Sequence, residues 1–373
     1  MLHVREIAPS HSTLRDFVRF PLSLYKNDPN YIIPSIEQQV RALLGRHNAL
    51  ITNGVQTFLM AFDGDKPVGR LLAGIDFRAT QQPGERQGYI SMFECINDQN
   101  AANALFTAAE TFLKLNGIGG IVGPNPTLFD DFGIGLLSEG FDQSPTFLSP
   151  YNPPYYTQLF ENAGFTKYRD HFSYDLSLQT ISDSRYESVL HRAGKRFGYT
   201  VKNIDLKNDL KTKSREVARV IAESTPPEWN VLPPTSETLY RELKRVRHVL
   251  WPELVLMAYA GERPVGVMLT IPDCNPMLKG LRGNLFPIGT FRMLFMRSYV
   301  KRVRTAMLYV VPEFQNKGVE AVMTYRTLNA ARQDGIQQAE ASMINEKNLK
   351  VQLGIEKLGG TVSKVYRQYH KEI

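Results

Sequence analysis

One hairpin sequence occurs twice in this chain: Leu59-Met60-Ala61-Phe62-Asp63-Gly64-Asp65-Lys66-Pro67-Val68-Gly69 returns 197 residues later as Leu256-Met257-Ala258-Tyr259-Ala260-Gly261-Glu262-Arg263-Pro264-Val265-Gly266. Seven of the eleven positions are identical, and three more are Phe/Tyr, Asp/Glu and Lys/Arg exchanges. Each copy predicts an apolar strand, a tight turn at the glycine, and a second strand that begins after the proline. A repeat of this length with dissimilar flanks indicates one domain used twice.

Length and composition agree with a duplicated globular domain. A chain of 373 residues is long for one core and suits two domains of comparable size. The order of predicted strands and helices indicates an α/β class, with a mixed sheet flanked by helices in each half. We expect the first lobe at residues 1–178 and the second at 179–373.

Cysteine content and hydropathy predict the compartment. The two cysteines, Cys95 and Cys274, lie far apart and lack a CxxC partner, which favours buried thiols in a reducing compartment. No apolar run approaches the roughly 18 residues that a membrane span requires, so no integral membrane association is expected. The first residues show no basic-then-apolar signal pattern, and the sequence therefore predicts a cytoplasmic protein.

Charge is distributed unevenly between the halves. Residues 1–178 contain 13 Lys and Arg against 18 Asp and Glu, whereas residues 179–373 contain 31 against 19. The basic half is either a solvated surface or a docking site for an anionic cofactor, lipid headgroups or nucleic acid. Since no nucleic-acid-binding motif accompanies the charge, no nucleic-acid partner is expected.

The most informative segment of the second half is Leu308-Tyr309-Val310-Val311-Pro312-Glu313-Phe314-Gln315-Asn316-Lys317-Gly318-Val319. It predicts a strand, a loop, and a helix that begins at Gly318. Free N–H groups and the positive end of the helix dipole make such a turn a receptor for phosphate. A glycine keeps side chains out of the way of the phosphate.

This segment resembles the acyl-CoA pyrophosphate loop of the GCN5-related N-acetyltransferase superfamily, whose pattern Gln/Arg-x-x-Gly-x-Gly/Ala is matched at Gln315 and Gly318. The later run Asn345-Glu346-Lys347-Asn348 with Glu356-Lys357-Leu358-Gly359 resembles the closing stretch of that superfamily. The resemblance implies an acyl-CoA, by default acetyl-CoA, as co-substrate, and no metal. The residues it implies for the cofactor are Val310, Val311, Gln315, Asn316, Lys317, Gly318, Val319 and Asn348.

A narrower resemblance extends over almost the whole chain. Segments such as Arg19-Phe20-Pro21, Pro150-Tyr151-Asn152-Pro153-Pro154-Tyr155-Tyr156 and Trp229-Asn230 are similar to those of bacterial two-lobed acetyltransferase-like proteins. The resemblance implies two tandem lobes and transfer of an acyl group to a small-molecule amine bound between them. The sequence leaves a homodimer open.

Three departures from the family pattern favour a second hypothesis. Glu320 stands where the phosphate loop usually has a small residue, and its charge would repel a pyrophosphate. The tyrosine that serves the family as general acid is replaced by Ile355, with Phe160 as its first-lobe counterpart. The first-lobe turn at residues 94–100 has no glycine and two acids, so we expect no phosphate there. The alternative is a catalytically silent relative that binds acyl-CoA or a metabolite as a sensor or interaction module.

Catalysis would require a group that takes a proton from the attacking amine. The candidates are Glu340, in the strand beside the cofactor strand, Glu313 at the loop mouth, and Tyr309 as a donor. Each has a structural alternative, namely a surface strand residue, a helix-entry carboxylate and core packing.

The acceptor site is predicted from an aromatic and Asn/Pro cluster in the first half. Tyr151, Asn152 and Tyr155, together with Asp131, would contact the substrate, since Tyr and Asn combine contact area with hydrogen-bonding groups. A rigid structural loop explains the cluster equally well. The insert at residues 273–301 would lie over the acceptor side, with Phe286, Phe291, Leu294 and Phe295 facing in. The alternative for this insert is an amphipathic segment that rests on a membrane surface.

Overall fold

The computed structural model describes residues 1–45, 54–78, 86–125, 133–179, 192–204, 206, 208–226, 233–281, 283 and 286–373. The strands defined there are β1 (Leu2–Glu6), β2 (Gly54–Asp63), β3 (Lys66–Asp76), β4 (Gln87–Cys95), β5 (Gly120–Gly123), β6 (Leu136–Glu139), β7 (Thr166–Ser177), β8 (Thr200–Asn203), β9 (Val255–Ala260), β10 (Arg263–Pro272), β11 (Arg302–Val310), β12 (Gln338–Asn345) and β13 (Thr361–Glu372). The helices are α1 (His11–Arg19), α2 (Pro21–Leu24), α3 (Ile36–Leu43), α4 (Gln99–Leu115), α5 (Tyr156–Asn162), α6 (Leu210–Ser224), α7 (Ser236–Val246), α8 (Asn275–Leu278), α9 (Ile288–Leu294), α10 (Met296–Tyr299), α11 (Val319–Gln333) and α12 (Leu349–Glu356). Among the described helices, none has the length and apolar character needed to cross a bilayer.

All the described strands belong to one mixed sheet. Its order is β1-β2-β3-β4-β5-β13-β7-β12-β11-β10-β9-β8, and β6 also pairs with β13. Two pairs are parallel, β4 with β5 and β11 with β12, and each is connected through a helix, α4 or α11. These two βαβ units are the centres of the two halves, since parallel neighbours require such a crossover.

The two hairpins that the repeat predicts are present with the same geometry. Gly64 and Gly261 occupy their turns, each with φ of 60°, a left-handed conformation that favours glycine. Both hairpins also carry a register shift after the proline, which leaves Val68 in one copy and Val265 in the other as the extra residue. A shared bulge on top of a shared sequence supports the duplication.

The halves exchange their last strands. β7, at the end of the first half, pairs with β12 of the second half, and β13, at the end of the chain, pairs with β5 of the first half. β7 and β13 also pair with each other at the centre of the sheet. Tyr174 and Leu176 of β7 are buried with residues of β11, β12 and α11. The division of the chain at residues 178 and 179 stays a prediction, because these two strands pair with both halves.

Helix positions largely follow the apolar periodicity. The amphipathic spacing of apolar residues predicts a helix over Asn100–Leu115, and the structure has α4 there, with Leu105, Phe106 and Ala109 in the first-half core. The sequence also predicts a helical stretch over Thr13–Tyr25, which the structure divides into α1 and α2 because Pro21 has no N–H to continue the first helix. A strand is predicted at Phe172–Leu178, and β7 begins six residues earlier, at Thr166.

Candidate functional site

The parallel strands of the second half diverge and open a cleft in the sheet. β11 and β12 pair from Arg302 with Gln338 to Thr305 with Ala341, after which β11 continues to Val310 and β12 to Asn345 without further pairing between the two. On its other edge β11 stays paired with β10 as far as Val310. The cleft therefore exposes one edge of β11 and leads directly to the phosphate loop predicted from the sequence.

That loop has the backbone geometry of an anion receptor. After a 3-10 turn at Pro312–Phe314, Asn316 and Gly318 both adopt left-handed φ values, 61° and 81°. Gly318 is the N-cap of α11, and among the described residues no side chain caps this helix. The first N–H groups of α11 are therefore available, together with the positive end of the helix dipole, for an anion.

Side chains of the loop fix it against the strand. Gln315 Nε2 donates to Val310 O (3.1 Å), so the loop returns to the end of β11. The Lys317 ammonium lies 4.8 Å from the centre of the Phe314 ring and thus stands at the helix N-terminus. Val319 is buried at the first position of α11. The structure therefore brings the predicted loop residues and Val310 together.

Two other predicted cofactor residues have structural contacts. The Val311 N–H donates to Val265 O (3.0 Å), so this amide is already used. Asn348 is the N-cap of α12, and its side chain accepts from the Val351 N–H. Cofactor roles for Val311 and Asn348 stay predictions.

Glu320 lies in the first turn of α11, close to Tyr199. Burial and the negative charge of Glu320 raise the pKa of Tyr199 to about 12. Tyr199 Oη donates to Lys317 O (3.3 Å), which places this tyrosine against the loop. The carboxylate is thus a fixed negative charge beside the anion receptor, as its position in the sequence implies.

Glu340 is buried in a polar cluster at the junction of the halves. Its Oε1 accepts from Thr146 Oγ1 and Ser342 Oγ (2.7 Å each), and its Oε2 accepts from Arg302 Nη2 (2.9 Å). Lys364 Nζ lies 4.0 Å from the same carboxylate. Because Thr146 comes from the first half and Lys364 from β13, Glu340 holds both halves together. A catalytic role for Glu340 stays a prediction.

The other two catalytic candidates also have contacts that explain them. Glu313 is exposed and accepts from Arg263 Nη1 (2.6 Å). Tyr309 packs against the core of the second half, and burial raises its pKa. Ile355, at the position of the family tyrosine, packs against the cluster that contains β7. Phe160 is fully buried among Phe93, Phe106, Phe165 and Tyr369.

The predicted acceptor residues make internal hydrogen bonds. Tyr151 Oη donates to Asp28 Oδ2 (2.9 Å), and Tyr155 Oη donates to Cys95 O (2.7 Å). Asn152 is buried, and its amide both accepts from the Leu137 N–H and donates to Leu137 O. Asp131 lies outside the described residues. Substrate contact by these four residues stays a prediction.

A cavity of about 580 Å³ lies between the halves and includes Tyr151 and Asn152 in its wall. Most of its lining is apolar, from α1 to α3 on one side and from α7 and α8 on the other. The charged pair Arg70 and Glu94, on β3 and β4, also faces it. The sequence places an acceptor site between the lobes and predicts Tyr151 and Asn152 in its wall, but it does not identify the other walls, which come from segments far apart in the chain.

Glu94 is the buried titratable group of the cavity. Tyr25 Oη and Tyr156 Oη each donate to its Oε2 (2.8 Å), and Arg70 Nη2 lies 3.7 Å from its Oε1. Burial raises the pKa of Glu94, although these neighbours oppose the shift. The available signal in the sequence was a charged residue inside a short apolar stretch of each strand, Arg70 next to Leu71 and Leu72 and Glu94 after Met92 and Phe93.

The first half lacks an equivalent anion receptor at the corresponding helix. Asp98 is the N-cap of α4, and its Oδ1 accepts from the N–H groups of Asn100 (2.8 Å) and Ala101 (3.4 Å). A carboxylate therefore already occupies the place that a phosphate would take. Within the described part of the chain, no group of three or more His, Cys, Asp or Glu side chains is arranged to hold a metal ion.

The insert at residues 273–301 was expected to lie over the acceptor side with its apolar residues facing inward, and the structure agrees with this only in part. Its first part, including Asn275 and Met277 of α8, lines the cavity between the halves. The expectation that its later aromatic and leucine residues face inward is wrong, because more than half the surface of each is exposed. These residues are Phe286, Phe291, Leu294 and Phe295.

Comparison with known proteins shows similarity along the whole chain, although no family model matches it. "Bacterial ceramide synthase" of Caulobacter vibrioides (strain NA1000 / CB15N) is 27% identical over 370 residues, covering 96% of this chain and 95% of that protein. "Protein YghO" of Escherichia coli (strain K12) is also 27% identical, over 368 residues, covering 96% of this chain and 93% of that protein.

Solved structures with a similar fold include proteins named for the GCN5-related N-acetyltransferases, or GNATs. A tandem GNAT protein from the clavulanic acid biosynthesis pathway matches with a TM-score of 0.58 and 12% identity, covering 100% of this chain and 98% of that one. A GCN5-related N-acetyltransferase from Sphaerobacter thermophilus matches with a TM-score of 0.53 and 11% identity, covering 100% and 95%. The chain therefore has the tandem fold of the GCN5-related N-acetyltransferases, which confirms the fold predicted from the repeat and the loop.

Proposed function

We propose that this protein is an N-acyltransferase that transfers an acyl group from CoA, bound by the second half, to an amine. The observation that carries the proposal is the open N-terminus of α11 at the end of a diverging strand, with Gly318 in a left-handed conformation and Lys317 beside it. This arrangement supplies free N–H groups and a positive charge to a pyrophosphate. Gln315, Asn316, Lys317, Gly318 and Val319 would hold the cofactor.

The cavity between the halves favours a long-chain acceptor. A mostly apolar space of about 580 Å³ is much larger than an acetyl group requires. The relative named bacterial ceramide synthase supports the same class, since a ceramide is the amide of a fatty acid and a long-chain amino alcohol. We infer a long-chain amino alcohol as the acceptor. For the donor we favour a CoA thioester with a long acyl chain over acetyl-CoA, and the assay below compares the two.

The reaction forms one bond and breaks another. The neutral amine nitrogen bonds to the acyl carbon, the carbon–sulfur bond breaks, and the thiolate of CoA takes up a proton. The nitrogen must lose a proton, and Glu94 is the carboxylate on the cavity wall that is held ready by two tyrosines. A carboxylate whose pKa is raised by burial is a stronger base than an ordinary carboxylate, which suits it to that step.

A catalytically silent acyl-CoA-binding protein is the second candidate. Ile355 and Phe160 pack in cores at the positions predicted for a tyrosine acid, and neither side chain can donate a proton. Glu320 adds a negative charge beside the loop. This candidate predicts that the cofactor binds but that no amide forms.

The test combines calorimetric titration with a matched glycine control. Gly318→Glu should abolish binding of CoA, whereas Gly335→Glu, at the other end of α11, should retain it. Both glycines have left-handed φ values, 81° and 74°, so both substitutions carry a similar backbone penalty of about 1–2 kcal/mol. Equal loss of CoA binding in the two variants would show that the loop at Gly318 is not the CoA-binding site.

Amide formation then separates the two candidates. The parent protein is incubated with acetyl-CoA or palmitoyl-CoA and a long-chain amino alcohol such as sphinganine, and the products are measured by mass spectrometry. An amide that disappears in Gly318→Glu supports the acyltransferase, and Glu94→Gln should then lower kcat while CoA binding is unchanged. Binding without amide from either donor supports the silent protein. Absence of CoA binding by the parent contradicts both.

A further inference from the structure

The second half presents a cluster of exposed apolar side chains that its core does not use. Between 49% and 85% of the surface of each is exposed, on α9, on α10 and in the turn before them. We name this cluster the apolar patch; it consists of Phe286, Ile288, Phe291, Leu294, Phe295 and Tyr299. The rings of Phe291 and Phe295 lie 5.2 Å apart, and the other members of the patch flank them within fourteen consecutive residues. Contiguous apolar surface of this kind marks an interaction site.

The patch is fixed in its outward orientation. Arg292 Nη1 donates to Met277 O (2.9 Å) and Lys279 O (3.1 Å), which ties α9 to α8. Met296 and Val300 are the side chains of this segment that face the core. The Arg297 guanidinium lies 4.5 Å from the centre of a Trp251 ring and forms ion pairs with Glu253 and Asp334. Anchors on the inner side therefore hold the aromatic residues towards solvent.

The surroundings of the patch carry positive charge. Residues 275–304 contain no Asp or Glu, and of their seven Lys and Arg, Arg302 and Arg304 face inward towards Glu340. Lys279 and Lys301, at either end of this segment, are exposed. The end of α7 contributes Arg247 and His248, which line a surface cleft together with residues 294–298 of the patch region. Apolar residues bordered by cations match a bilayer whose headgroups are anionic.

We propose that the apolar patch docks this protein onto an anionic phospholipid bilayer, with the aromatic side chains inserted at the level of the headgroups. Lys279 and Lys301 would contact the phosphates. Met277 and Leu278 of α8 line the cavity between the halves, and α8 is also the element to which Arg292 ties the patch. Docking would thus place this wall of the cavity next to the membrane. Use of that position to take up a long-chain acceptor rests on the proposed function; docking itself does not.

The test is flotation of the full chain with vesicles. The protein should float with vesicles of phosphatidylethanolamine and phosphatidylglycerol, remain unbound with pure phosphatidylcholine, and dissociate when NaCl rises from 0.1 to 0.5 M. The triple variant Phe286→Ser, Phe291→Ser, Leu294→Ser should bind at least tenfold less. Leu115→Ser, which removes an 83% exposed leucine at the end of α4, should bind as the parent does. Lys279→Gln and Lys301→Gln should each lower binding about fivefold.

Other occupants of the patch give different results. Failure of the parent to float with anionic vesicles, or equal flotation of a triple variant whose circular dichroism spectrum is unchanged, overturns the proposal. In another outcome, the parent dimerises in sedimentation velocity without lipid, the triple variant stays monomeric, and neither floats with vesicles. This result would make the patch a contact between copies of the chain. Flotation needs no CoA and no turnover, so this result is independent of the acyl-transfer test.

Discussion

Replacing Glu340 by glutamine should destabilise the protein by about 3–5 kcal/mol, because it removes a buried anion from a group of buried cations. Lys364 and Arg304 are fully buried, with Lys364 Nζ 4.0 Å and Arg304 Nε 3.9 Å from the carboxylate. Among the described residues Lys364 Nζ has no hydrogen-bond partner, so it depends on this charge.

Urea unfolding at pH 7, followed by circular dichroism, measures this loss. The control is Asp175→Asn, since Asp175 also pairs with Arg302 but is about one third exposed, and its loss should be below about 1 kcal/mol. The double variant Glu340→Gln, Lys364→Met removes both charges and should recover much of the stability. A loss below about 1 kcal/mol for Glu340→Gln would refute the reasoning. Loss of amide formation at unchanged stability would instead support the predicted catalytic role.

Two further predictions concern charge beside the loop and the stability at low pH. Glu320→Gln should increase the affinity for CoA about fivefold in calorimetric titration, because about 1 kcal/mol of repulsion is removed. The control Glu262→Gln, in the β9–β10 turn, should leave the affinity for CoA unchanged. Equal affinity in the two variants would contradict the expected repulsion. Burial lowers the pKa of His171 to about 4, so this residue contributes stability that is complete above about pH 6.5 and is lost as the pH falls towards 4. Between pH 7 and pH 4.5, the free energy of unfolding of His171→Gln in urea should therefore fall by about 2 kcal/mol less than that of the parent. Parallel pH profiles of the two proteins would show that His171 is not the group responsible.

The fold was predictable where the determining contacts are local. The repeated hairpins could be located because a glycine turn and alternating apolar residues specify them within eleven positions. The exchange of β7 and β13 could not be predicted, since each strand has a common apolar pattern that fits several neighbours. Its partner is selected by the assembled sheet, where Tyr174 of β7 is buried against the second half.

The same distinction applies to the site. The backbone geometry of the predicted loop could be anticipated because Gly318 and its neighbours form it from consecutive residues, and its phosphate-binding role stays a prediction. The cavity could be predicted only at Tyr151 and Asn152, because its other walls require α1–α3, β4, α7 and α8 to meet in space. Glu340 was predicted as a base or a surface residue, and its burial depends on Thr146 and Lys364, which are distant in the chain.

The two βαβ units differ at the N-terminus of their helices. In the first half, Asp98 occupies the helix N-terminus and the Glu94 carboxylate, with Tyr25 and Tyr156, stands beside the cavity, so that side is suited to a cationic acceptor. In the second half the helix N-terminus is open and is suited to an anionic cofactor. Because β7 and β13 are exchanged across the junction, neither half completes its sheet alone. The proposed acceptor side and the proposed cofactor side are therefore joined by the backbone itself, which on the proposed function gives a physical reason for both halves to be retained.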